Sequence, residues 1–125
     1  MGSHTAGAVT ALGDEELVQQ VLDDYRSSRL SDAEKALFAF IEKVNSASNQ
    51  IRQTDIDELK KFAWTDEAIY DAVTVCSLFN FYNRWNDAMG TPDMPAFAYE
   101  MTGKRIAEHG YFQEKEKGRE EDEKV

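Results

Sequence analysis

DEAIYDAVTVCSLFNFYNRWNDAM, residues Asp66–Met89, is the stretch whose reading decides the fold. Thr65 is placed to cap it and Gly90 to end it, which predicts one long helix. Ile69, Ala72, Val73, Val75, Cys76, Leu78, Phe79, Phe81, Tyr82 and Trp85 cover nearly its whole circumference. A helix apolar all round belongs in the middle of a domain or in an oligomer interface. Asn80, Asn83, Arg84 and Asp87 interrupt that apolar stretch at spacings of three and four, so they share one face. Asn80 can then reach Arg84, and Arg84 can reach Asp87. Polar groups among apolar ones are costly unless they bond to one another or to a partner. Two readings follow: a structural network that fixes helix register, which is the favoured one, or the polar wall of a pocket.

Outward from this helix the pattern stays helical. Upstream, Thr65 is preceded by a short helix capped at Thr54 that carries Ile56, Leu59 and Phe62. The segment Asn45–Gln53 is polar and breaks the pattern. Before it, Ser31 and Glu34 form a capping box ahead of a helix with Ala33, Leu37, Phe40, Ile41 and Val44 on its apolar face and Phe38 beside it. Residues 15–27 carry Leu17, Val18, Val21, Leu22 and Tyr25 at helical spacing behind Asp14. Thr5–Leu12 is small and helix-compatible, with Gly13 as a left-handed stop. Downstream, the two prolines of Thr91-Pro92-Asp93-Met94-Pro95 forbid regular helix. A last helix spans Ala96–Glu108 before Gly110. The prediction is an all-α bundle of five to six helices over residues 1–112, followed by a charged, disordered tail at 113–125.

Composition narrows the function. The chain has 125 residues and a net charge of −10, from 24 acidic and 14 basic side chains. Such a surface repels phosphate backbones, and no basic stripe overrides it, so neither nucleic acid nor an anionic membrane is expected as a partner. No apolar run nears the roughly 20 residues that span a bilayer, and no signal peptide opens the chain, which makes the cytoplasm the expected location. The single cysteine, Cys76, excludes an internal disulfide and a cysteine-only zinc site. Two widely separated histidines, His4 and His109, make no metal site, and no cofactor is expected. Cys76 sits among Val73, Val75, Leu78 and Phe79, where a thiol is best read as a small hydrophobe. It is a candidate reactive thiol, but alone it has no resolving partner. His109, at a helix C-terminus, suits a capping role.

The stretch Ser77–Gly90, SLFNFYNRWNDAMG, resembles the F-N-x-x-N-R-x-x-D-x-x-G signature of the AhpD-like proteins, the peroxidase-related branch of the carboxymuconolactone decarboxylase superfamily. Leu30–Leu37 is similar to that family's L-S-x-x-E-x-A-L helix start. Thr54–Leu59 is similar to its T-x-x-D-x-x-x-L element, and Trp64–Ile69 to the segment that opens its long helix. In order, these pieces cover residues 3–90. The resemblance implies an all-α fold completed by assembly into dimers or larger homo-oligomers, and a small organic hydroperoxide or another small ligand as partner.

The resemblance also implies a catalytic set of which this chain would hold only the histidine. Active members carry Cys-x-x-Cys at a helix N-terminus, a nearby Glu, and a His shortly after the second cysteine. A depressed thiol pKa supplies the thiolate that attacks peroxide, and the second thiol resolves the sulfenic acid. Ser3–Val9 looks like the sequence following that dithiol, so His4 would match the histidine and the cysteines would fall just before Met1. Either the chain begins downstream of the pair or it is a short form without it. The expected function is an alkylhydroperoxidase-like protein that is inactive as a thiol peroxidase in this form. The alternative is a non-catalytic helical oligomeric scaffold or small-ligand-binding protein. A third reading, lactone decarboxylation with His4 as base and Arg84 as carboxylate anchor, ranks lowest.

Overall fold

A computed structural model of the chain describes residues 2–111; the tail expected at 113–125 lies outside them. Among the described residues there are six α-helices and no strand: α1 (Ser3–Leu12), α2 (Glu15–Asp24), α3 (Asp32–Ala47), α4 (Gln53–Lys61), α5 (Asp66–Met89) and α6 (Ala96–His109). The fold is therefore all-α, as the helical spacing predicted. Contacts divide the chain into two compact units, residues 16–93 and residues 2–15 with 94–111.

The unit of residues 16–93 is built on a hydrophobic core. Phe40 of α3, Leu59 of α4 and Ile69 of α5 are buried together, ringed by Leu37, Ile41, Val44, Ile56, Trp64 and Val73. Burying such side chains stabilises by about 1.5–3 kcal/mol each, so this cluster holds the three helices in place. The helix ends follow local chemistry. Ser31 Oγ accepts from Glu34 N–H at 3.2 Å while the Glu34 carboxylate accepts from Ser31 N–H at 2.8 Å, the expected capping box. The Ser31 hydroxyl, which donates to that carboxylate at 2.6 Å, and after it the Ser31 N–H hold the Glu34 carboxyl below its ordinary pKa. Thr65 Oγ1 accepts from Ala68 N–H at 3.1 Å and opens α5, and Gly90 closes it in the left-handed conformation at φ 64°. The indole Nε1–H of Trp64 donates to Ala33 O at 2.9 Å, tying the start of α5 to the start of α3.

Three boundaries differ from the sequence reading. α2 ends at Asp24, and residues 25–27 turn instead of extending it. The polar segment after Asn45 is not a break at that point: α3 continues to Ala47 and a 3-10 turn covers Ser48–Gln50. The short helix begins at Gln53, capped by Arg52 and not by Thr54. The reason is Asp55, whose carboxylate accepts from Arg52 N–H at 2.7 Å and from Lys43 Nζ at 2.7 Å. The Lys43 ammonium, followed by that backbone donor, holds the Asp55 carboxyl below its usual range.

The turn that follows α2 meets α3 through an aromatic and ionic seam. Tyr25 stacks on Phe38 with ring centroids 5.5 Å apart, and its hydroxyl donates to Glu42 at 2.9 Å. The Arg26 guanidinium lies over the Tyr25 ring and pairs with Glu42. Desolvation and the Glu42 hydrogen bond push the Tyr25 hydroxyl pKa up.

Of the two places the sequence leaves open to α5, the middle of the domain does not hold along its whole length. Ile69 is buried, but Phe81 is 60% exposed, Trp85 52% and Met89 65%. Within this unit α5 rests on α3, and by Asn80 it has already reached the last turn of α3 at Asn45. The turns beyond Asn80 have no helix opposite them in the unit, so an apolar circumference there stays in solvent.

The unit of residues 2–15 and 94–111 uses backbone approach in place of a core. α1 packs on α6 at Ser3, Gly7 and Gly103, all buried. A Cβ placed on Gly103 would stand 2.6 Å from Ala6 Cβ and 2.6 Å from the Ser3 carbonyl oxygen. Only glycine allows so close a crossing. Gly13 ends α1 at φ 66°, donating its N–H to Val9 O at 2.8 Å.

Candidate functional site

The polar residues singled out on α5 gather where α3 and α5 run side by side. The Ala33–Trp64 and Asn45–Asn80 bonds lie in the same order along both helices, so the two run in the same direction. Spacing of four on α5 stacks Cys76, Asn80 and Arg84. Asn80 is the hub. Its Nδ2 donates to Asn45 Oδ1 at 2.7 Å and to the Cys76 carbonyl at 3.1 Å, and lies 3.6 Å from Cys76 Sγ. Its Oδ1 accepts from Arg84 NH1 at 2.8 Å, and the same nitrogen reaches Asn80 O at 3.1 Å. The Asn80–Arg84 contact expected from spacing is present.

The expected Arg84–Asp87 link is not present among the described residues: Asp87 is exposed, and Arg84 spends its bonds on Asn80. The physical reason is reach, because a guanidinium drawn back one turn toward Asn80 turns away from the C-terminal end of the helix. Asn83 lines the adjoining cavity.

The network stands at one end of an open cavity of about 500 Å³. Leu37, Phe38 and Ile41 of α3 face Ala72, Val75, Cys76 and Phe79 of α5 across it, with Asp71 at the N-terminal end of α5 and Asn45, Asn80 and Asn83 at the other. A second cavity of about 360 Å³ shares Asn45 and Asn80 and adds Ser48, Ser77 and Arg84. Volumes of this size lie in the range of small-molecule sites. The two readings of the polar face thus both find geometry: the network links α5 to α3, and it also walls a cavity.

Cys76 is half-buried and lines the cavity instead of being enclosed by packing. His4 is elsewhere, on the first turn of α1, with Nε2 2.7 Å from Tyr111 Oη and the rings 6.1 Å apart. His109 is the last residue of α6, at 3.8 Å from Glu108, in keeping with a place at a helix end. Among the described residues no three His, Cys, Asp or Glu side chains gather as metal ligands, and no helix is long and apolar enough to cross a membrane. Against protein-family models, curated proteins and solved structures, the chain matches none.

Sequence reasoning missed Asn45 and Tyr111. Asn45 looked like the start of a polar break, although its place three and four residues after Glu42 and Ile41 continues the helical register of α3. Tyr111 follows Gly110 and carries no local pattern that would join it to His4, 107 residues away.

Proposed function

We propose that this chain is an alkylhydroperoxidase-like protein of the peroxidase-related branch, self-associating, and without thiol peroxidase turnover of its own. The observation that carries the reading is the Asn80–Arg84 pair within the F-N-x-x-N-R-x-x-D-x-x-G stretch, bonded to each other and across to α3. The flanking pieces that resemble the family support it in their local roles: Ser31–Glu34 opens α3, and Thr65 opens α5. A single cysteine cannot close the thiol–disulfide cycle that a dithiol peroxidase needs.

Self-association is supported by an exposed seam on α5. Val75, Leu78, Tyr82, Trp85 and Met89 recur at alternating spacings of three and four, the pattern that pairs helices, and each is 48–65% exposed. Apolar seams of this kind are what symmetric assemblies cover.

Two measurements test the reading. Peroxide consumption with a dithiol reductant is expected to stay at background for this chain. A version extended by a Cys-x-x-Cys helix ahead of Met1 is expected to turn over and to lose that activity in His4→Gln. Turnover by the unextended chain, or a folded extended version without activity, would sink the peroxidase-related assignment. Sedimentation is expected to show a dimer or larger species that Trp85→Glu dissociates. A second reading, a non-catalytic small-ligand binder, is favoured by the cavity beside Asn80.

A further inference from the structure

We infer that the α3–α5 cavity binds a small amphipathic carboxylate, its apolar tail between the helices and its carboxylate on Arg84. The inference rests on the small-ligand reading and names the ligand class for it. Its basis is a gradient of polarity along one groove. Asp71 stands at one end of the cavity, and Asn83 at the other is twelve residues further along α5, roughly 18 Å at 1.5 Å per residue. Between them the walls are Leu37, Phe38 and Ile41 on one side and Val75, Cys76 and Phe79 on the other. A slot of that length and lining takes an extended aliphatic or arylalkyl chain.

The charges at the two ends set its direction. The Asp71 carboxylate repels an anionic head group, while the second cavity, which shares Asn45 and Asn80 with the first, presents the Arg84 guanidinium with Ser48 and Ser77. Arg84 uses one of its nitrogens on Asn80, and no carboxylate pairs with it among the described residues. The rest of the fork remains available to a carboxylate, for which its geometry is suited. In a chain of net charge −10, a guanidinium without a carboxylate beside an apolar slot is a local exception to the surrounding field. Asn80 contributes by fixing that guanidinium, which lowers the ordering cost of binding.

The test uses the intact chain with decanoate and its uncharged counterpart decanol. Calorimetry is expected to show binding of both, decanoate more tightly, and Arg84→Gln is expected to weaken decanoate by about tenfold while leaving decanol unchanged. Location is read from Cys76, the sole thiol: either ligand is expected to slow its alkylation by iodoacetamide. Equal binding of decanoate by wild type and Arg84→Gln would overturn the carboxylate assignment while leaving a ligand site. Failure of both compounds to bind would overturn the small-ligand reading itself. Binding without protection of Cys76, or a thiol inert in the free chain, would remove the cavity as the site. A groove already covered by a second copy would show as binding that appears only after Trp85→Glu dissociates the assembly, and would likewise overturn an accessible site in the native protein.

Discussion

The two units solve the same packing problem by opposite means. Residues 16–93 fill the space between helices with Phe40, Leu59 and Ile69, whereas α1 and α6 remove the space by letting Gly7 and Gly103 touch. The first contact is sensitive to lost volume and the second to added volume. Sequence hydrophobicity reports the first kind of contact and is silent on the second, because a glycine crossing leaves no apolar signature.

The largest expected effect tests the core side of that contrast. Leu59→Ala is expected to destabilise residues 16–93 by about 3 kcal/mol, read from the urea midpoint of the helical signal. A loss under 1 kcal/mol would mean that Leu59, only 1% exposed, does not anchor three helices. The complementary change adds volume. Gly103→Val is expected to cost about 2 kcal/mol by forcing α1 from α6, with amide exchange accelerating in those two helices and unchanged in α3–α5. Equal acceleration in every helix would merge the two units into one cooperative body.

Smaller effects sharpen the picture at helix ends. Ser31→Ala removes the cap of α3 and is expected to cost about 1 kcal/mol, with unaltered exchange in α1 and α6. The last concerns acid. Lys43 and the Arg52 N–H hold the native Asp55 pKa below its unfolded value of about 3.9. The group therefore contributes stability above that value, and the contribution fades as pH falls through the lowered native pKa. Asp55→Asn is expected to lie below wild type in urea midpoint at pH 7, and the gap is expected to narrow on acidification. A gap that is constant with pH would assign the difference to helix capping alone.

Much of this was legible in the sequence for physical reasons that are local. The Ser31–Glu34 box, the Thr65 cap, the stops at Gly13 and Gly90 and the Asn80–Arg84 pair each depend on residues within four positions of one another. What escaped depends on a second segment. Thr54 looked like a cap until Asp55 was seen bonding both Arg52 and Lys43. The apolar circumference of α5 says that something should cover it, not that α3 stops short at Ala47. Asn45 joins the candidate site only because α3 and α5 run in the same direction. Gly7 and Gly103, each inside a helical pattern, were the available hints of a close crossing.

The His4–Tyr111 bond joins positions 107 residues apart, and the Gly7–Gly103 contact spans nearly as much chain. Contacts this distant require the intervening loop to be closed before they repay anything, and closure is cheapest once that loop has condensed. Residues 16–93 form the loop. Their folding is expected to come first, with the pairing of α1 with α6 the last event of assembly and the first to reverse, an order that pulsed amide exchange during refolding would check. During synthesis α1 is made well before α6, so its glycine face waits without its partner until residues 96–109 have followed.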